Sequence, residues 1–202
     1  MGHTFFKHIQ MKIQNTKNLM IVAHCDDEAI WAGEMLLKEK KMWDIFCVVT
    51  PDSQSTFRIP MFLDKVSNYL ECNTELLPFP DLGFGTQIVG DIYTPIEKKI
   101  LSKNWDKIYT HGFEGEYGHS HHQQINKTVI EIINKNNLQD KLWLFKPFKK
   151  QEVLILSEEK LKFFENTYDD ESNLPYNHPR KWIHGWNTKM GWVEGFEKYI
   201  KS

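Results

Sequence analysis

Short apolar runs alternate along this chain with longer segments of helical periodicity. After Asn18, the run Leu19-Met20-Ile21-Val22 is continuously apolar, as in a strand buried on both faces. Ala29-Ile30-Trp31-Ala32-Gly33-Glu34-Met35-Leu36-Leu37 then takes up helical spacing. Continued through the chain, the pattern predicts strands at 18–24, 44–50, 74–78, 107–111 and 141–147. It predicts helices at about 27–41, 58–71, 92–103, 120–136 and 157–167. Such alternation implies an α/β fold: a single-domain, Rossmann-like, mostly parallel sheet with helices on both faces. Residues 1–17 read as a polar N-terminal extension and 18–202 as the domain. The main long loop runs from Pro78 to Gly90, and the Trp-, Gly-, His- and Pro-rich tail from Asn173 is expected to wrap the domain as loop plus a short final helix.

Two of the predicted strands end in clusters of polar residues. His24-Cys25-Asp26-Asp27-Glu28 places one imidazole and three carboxylates in five residues, at a strand's carboxyl end, where open α/β sheets hold ligands. Like charges gathered there call for a positive partner, and a divalent cation is the natural one. The second cluster, Gly115-Glu116-Tyr117-Gly118-His119-Ser120-His121-His122, follows the strand at 107–111. Neither is the helical His-Glu-x-x-His of zinc proteases, and no Cys-x-x-Cys marks a structural zinc site. Gly83-Phe84-Gly85 lacks the third glycine of a dinucleotide fingerprint and opens no helix.

Together the two clusters resemble the signature pair of the PIG-L/LmbE family of zinc-dependent N-acetyl-sugar deacetylases, His-Pro-Asp-Asp-Glu and a later Gly-His-x-x-His. The resemblance runs from about Asn18 to Ile200, and Glu194-Gly195-Phe196 is similar to the family's closing motif. It implies His24, Asp27 and His122 as ligands of Zn2+, although two imidazoles and one carboxylate also accept Fe(II). It implies Asp26 as general base, His119 as the imidazolium that stabilises charge and protonates the leaving group, and Tyr117 as donor to the oxyanion. Arg58 resembles a family arginine that binds sugar hydroxyls or phosphate. By their own positions, Asp81 in the glycine-rich loop would hydrogen-bond sugar hydroxyls and His111 at a strand end would line the pocket.

Each residue keeps an ordinary alternative: Asp26 as a helix N-cap, Tyr117 as a half-buried loop residue, Arg58 as a surface cation, Asp81 as a turn former, His111 as a structural histidine. Cys25 stands where the family has Pro, as a small buried thiol or a further metal contact. His121 stands where the family often has an acid or Asn, either accepting a hydrogen bond or lying at the surface. Glu28 reads as a support of the site or a solvated carboxylate, and Trp182, His184, Trp186 and Trp192 as packing or a stacking wall for a sugar.

Composition narrows the partners. With 202 residues and a formal charge of −2, the chain has one domain's length and no basic footprint for nucleic acid. Cys25, Cys47 and Cys72 are odd in number and unpatterned, which suits a reducing compartment. No signal-peptide core or membrane span of ~20 apolar residues is present. The expectation is a cytoplasmic enzyme acting on an N-acetylated sugar or sugar conjugate. A zinc amidase on another sugar amide, such as a thiol-sugar conjugate, and a non-catalytic carbohydrate-binding protein are the alternatives.

Overall fold

The five apolar runs form five parallel strands: β1 (Asn18–Val22), β2 (Trp43–Thr50), β3 (Asn73–Pro80), β4 (Lys107–Thr110) and β5 (Leu142–Phe145). The computed structural model describes residues 15–53, 55–149, 157–168 and 192–200. Between the strands lie α1 (Asp27–Lys38), α3 (Tyr93–Ile100) and α4 (Ser120–Lys135), with α5 (Glu158–Thr167) after β5. The helix expected at 58–71 is one run, α2, in three parts: Arg58–Pro60, a π-helical Met61–Val66 and Ser67–Leu70.

Alternation along β1 divides the core. Met20 and Val22 face α1, α2 and α5, where Trp31, Phe62 and Phe163 pack. Leu19 and Ile21 face α3 and α4, where Ile96 and Val129 pack. All five residues of β1 are buried, as a central parallel strand requires.

The sheet order is β3-β2-β1-β4-β5, closed by β8 (Phe196–Lys198) antiparallel to β5. The chain leaves β1 toward β2 and returns on its other side as β4, so the order reverses between β1 and β4. Connections leaving these two strands turn to opposite faces and open a crevice at their carboxyl ends. The two polar clusters follow those same two strands.

The short final helix expected in the tail is not among the described residues. They form β7 (Trp192–Val193), paired with β6 (Phe148–Lys149), and then β8. An unpaired sheet edge leaves backbone donors and acceptors open, and an extended segment satisfies them. Phe196 also seats its ring edge-on to Tyr109, 5.5 Å away. Glu194 fastens this segment inward: its carboxylate accepts from the Glu34 N–H at 2.9 Å and from the buried Lys160 ammonium. Trp182, His184 and Trp186 lie outside the described residues. Among the described residues, no helix is long and apolar enough to cross a membrane.

Candidate metal centre

After β1 the chain turns sharply into α1. Asp26 sits at φ 144°, a conformation that costs a non-glycine residue strain. Its carbonyl accepts from the N–H groups of Ala29 and Ile30, at 3.0 and 2.9 Å. The turn aims Asp27 back across the strand end. There Asp27 Oδ2 accepts from the His24 N–H at 2.8 Å and Oδ1 from Trp31 Nε1 at 3.2 Å.

After β4 a tight turn at Gly115–Gly118 returns the chain under the strand end, with Gly115 at φ 62° and Glu116 at φ 58°. A Cβ at Gly115 would meet His122 Cβ at 3.2 Å, so both backbone angle and space call for glycine. His119 then caps α4, its Nδ1 accepting from the His121 N–H at 3.2 Å.

These two turns bring His24, Asp27 and His122 together. His24 Nδ1 lies 3.2 Å from His122 Nε2 and 3.3 Å from Asp27 Oδ2, and His122 Nε2 lies 3.3 Å from Asp27 Oδ2. Zinc–ligand bonds of about 2.0–2.1 Å in a tetrahedron separate the ligand atoms by about 3.3–3.4 Å. The near-equilateral triangle therefore has the dimensions of one tetrahedral face. Asp27 and His122 are buried, and the His24 side chain is only 12% exposed. Burial works against charge on His122, yet Asp27 and Glu116 outweigh it and push the imidazole up to about 10. The pocket is electrostatically arranged for positive charge. Donor type, spacing and field all fit a divalent cation.

Glu116, to which the sequence reading gave no role, is central to that field. Its Oε2 accepts from His122 Nδ1 at 2.5 Å and His111 Nδ1 at 2.9 Å, and its Oε1 from the Gly112 N–H at 2.8 Å. Burial opposes its charge, but the two imidazoles hold the carboxyl down at about 2. A carboxylate behind a ligating histidine fixes its ring and strengthens it as a donor. The signal was the motif position itself, but only the fold turns a residue six before His122 onto its far nitrogen. Glu116→Gln is expected to weaken zinc binding by about 10–100-fold, measured by competition against a chromophoric chelator.

His111, expected at the pocket wall, is 0% exposed. Its Nε2 accepts from the Ala23 N–H at 2.8 Å, its ring stacks on His122 at 3.8 Å, and its carbonyl accepts from Asn126 Nδ2 at 2.7 Å. A histidine so enclosed braces the strand end.

Asp26 and Arg58 form an ion pair at 3.0 Å, and the Arg58 side chain is 20% exposed. Arg58 thus meets the carboxylate expected to act as base. Asp26 occupies the N-cap position without capping through its side chain. Burial pushes its carboxyl up to about 6, with Arg58 opposing.

Tyr117 borders the same space, its ring 5.5 Å from His122 and 5.7 Å from His119. Burial and the nearby carboxylates hold its phenol protonated. Burial, then His122 and His24, push the His119 imidazole down to about 3. With Nδ1 accepting a backbone hydrogen bond, its proton resides on Nε2. The Asp81 carboxylate accepts from the Gly83 N–H at 2.8 Å and also lies 3.9 Å from both His24 and His121. Turn former and site residue are therefore compatible roles. His121 is fully buried, which removes the surface reading. Cys25 is buried against Cys47, Sγ to Sγ 3.6 Å, and burial pushes its thiol up.

Glu28 is fully buried, accepting from the Tyr168 hydroxyl and, at 3.1 Å, from the Asp26 N–H. Burial pushes its carboxyl from 4.5 up to about 8 despite the Tyr168 hydrogen bond. Between those values the folded chain holds a proton that the unfolded chain releases, so this group's contribution to stability falls as pH rises. Glu28→Gln keeps an acceptor for the Asp26 N–H without that loss. Its thermal unfolding midpoint is expected to exceed wild type at pH 8, the gap closing toward pH 5.

No family model matches the chain. An uncharacterized protein of Acanthamoeba polyphaga mimivirus is 30% identical over 135 residues, covering 59% of this chain and 59% of that protein. The chain therefore spans about three-fifths of that relative's length. Among solved structures, N,N'-diacetylchitobiose deacetylase from Pyrococcus horikoshii superposes with a TM-score of 0.62 at 17% identity, over 91% of this chain and 84% of that one. A deacetylase of the teicoplanin biosynthetic pathway gives 0.56 at 15% identity, over 75% and 81%. The 4-carboxy-2-hydroxymuconate hydratase of Pseudomonas putida gives 0.54 at 11% identity, over 77% and 80%. These likenesses establish a shared α/β fold, one that hosts more than one chemistry.

Proposed function

We propose that the chain is a metal-dependent hydrolase of the PIG-L/LmbE type that removes the N-acetyl group of an amino sugar or sugar conjugate and releases acetate. The observation that carries this reading is the triangle of His24 Nδ1, Asp27 Oδ2 and His122 Nε2, with edges of 3.2–3.3 Å, beside the ion-paired Asp26. His24, Asp27 and His122 would hold Zn2+, or Fe(II), which the same donors accept. Such a cation, when bound, acidifies water and polarises an amide carbonyl.

The chain's own groups supply the rest. Asp26 takes the proton of the attacking water, and Arg58 at 3.0 Å keeps it ionised until then. A carboxyl pushed up to about 6 can also return that proton to the leaving amine near neutral pH. This makes Asp26, in place of an imidazolium at His119, the proton carrier. The Tyr117 O–H and His119 Nε2–H serve as hydrogen-bond donors to the developing oxyanion. Water is consumed, the C–N bond breaks, and acetate and a free amine leave.

Phe84, 68% exposed, stacks over Tyr117 at 6.4 Å and meets His119 edge-on at 5.2 Å. Its free face suits the apolar face of a sugar ring, and the Asp81 carboxylate suits sugar hydroxyls. Structural neighbours that are deacetylases support the amide reading, while the hydratase makes a direct assay necessary.

The test is acetate release from a panel of N-acetylated sugars, nucleotide sugars and glycolipids, with protein loaded with zinc, stripped by chelator, and reloaded. Release is expected only with metal. Cleavage of other sugar amides without acetate release would instead establish the amidase alternative. Silence from stoichiometrically loaded protein that still bound a sugar would overturn the hydrolase reading in favour of a binding protein.

A further inference from the structure

We propose that His121, anchored by Thr86, is the positioning residue for His24, and that it links the metal centre to the loop after β3. The inference rests on the metal reading above and concerns a hydrogen-bond chain separate from the one through Glu116.

The direction of every bond in this chain follows from donor and acceptor counting. Thr86 Oγ1 lies 2.7 Å from the Gly83 carbonyl, which can only accept. The single hydroxyl proton of Thr86 therefore goes to Gly83, leaving its oxygen as acceptor. His121 Nε2 lies 3.0 Å from that oxygen and is the donor. A neutral imidazole with its proton on Nε2 presents a bare Nδ1. That Nδ1 sits 3.2 Å from His24 Nε2. His24, facing Asp27 and His122 through Nδ1, carries its proton on Nε2 and donates it to His121. The chain from His24 through His121 and Thr86 to the Gly83 carbonyl is complete, with no donor facing a donor.

His121 is placed to hold this arrangement. It is fully buried, and its own N–H is fixed on His119 Nδ1 at 3.2 Å. Asp81 is 3.9 Å from His24 Nε2 and His121 Nδ1, beyond hydrogen-bond reach, and His119, whose ring also stands near both, has its Nδ1 taken by the His121 N–H. Each of the three metal donors thus has a separate support. Asp27 is held by Trp31 and a backbone N–H, His122 by Glu116, and His24 by His121. The last reaches the loop after β3 that carries Phe84 over the site.

Four variants test the chain by zinc affinity, read by competition against a chromophoric chelator, with acetate release followed in parallel. His121→Leu removes the acceptor and should weaken zinc binding about 10–100-fold. His121→Asn places an amide oxygen where Nδ1 stood and should bind zinc close to wild type. Thr86→Val should weaken binding, and Thr86→Ser should restore it. Thr86 is only partly buried, so this second pair carries the test if His121→Leu fails to fold. Wild-type affinity in His121→Leu or Thr86→Val would overturn the proposal, as would Asn binding as poorly as Leu. The expected affinity pattern in protein that releases no acetate would uphold the chain and sink the deacetylase reading alone.

Discussion

Asp26→Asn is expected to lower the rate of acetate release by about 10²–10⁴-fold, the usual worth of a positioned general base, while zinc binds as in wild type. Asparagine preserves the shape at φ 144° and cannot take a proton. The substitution has a second effect that must be separated from the first. It strips the Arg58 guanidinium, 20% exposed, of its carboxylate, and an uncompensated buried charge destabilises the fold by up to about 3–5 kcal/mol. The double variant Asp26→Asn/Arg58→Met removes both charges. It should recover most of the lost thermal stability and none of the lost rate. Recovery of the rate along with stability would show that Asp26 acts only through the fold.

His122→Ala is expected to abolish activity that added zinc cannot restore. Zinc held by three or four donors binds with on the order of 10–16 kcal/mol, about 3–4 kcal/mol per donor, so losing one costs about 10²–10³ in affinity. The loss should be larger than for Glu116→Gln, because Glu116 acts on zinc only through the ring that His122→Ala removes. Equilibrium dialysis against buffered zinc, with both variants beside wild type, gives the order. Equal affinity in all three would place the ion elsewhere.

The fold was legible because its central strands are buried on both faces: continuous apolar runs such as 19–22 and 45–49 stand out against amphipathic helices. The edge strand at Phe196–Lys198 was not. Three residues at a sheet edge carry no period, and only the unpaired backbone of β5 selects an extended form. At the site, His24, Asp26 and Asp27 announced themselves as charges crowded at a strand end. Supports stayed hidden because they act across the fold. Glu116 reaches two imidazoles only through a turn whose Gly115, Glu116 and Gly118 stand at positive φ, and Thr86 meets His121 across 35 residues. Burial also acts where residue type alone is silent, pushing His119 down to about 3 and Asp26 up to about 6.

The most direct measurement is anomalous diffraction at the zinc edge from crystals of the zinc-loaded protein. A single peak within about 2.0–2.2 Å of His24 Nδ1, an Asp27 oxygen and His122 Nε2 is the expected result. A peak among His24, His119 and His121, whose ring nitrogens also lie within 4.8 Å of one another, would contradict the assignment of the centre and the roles built on it.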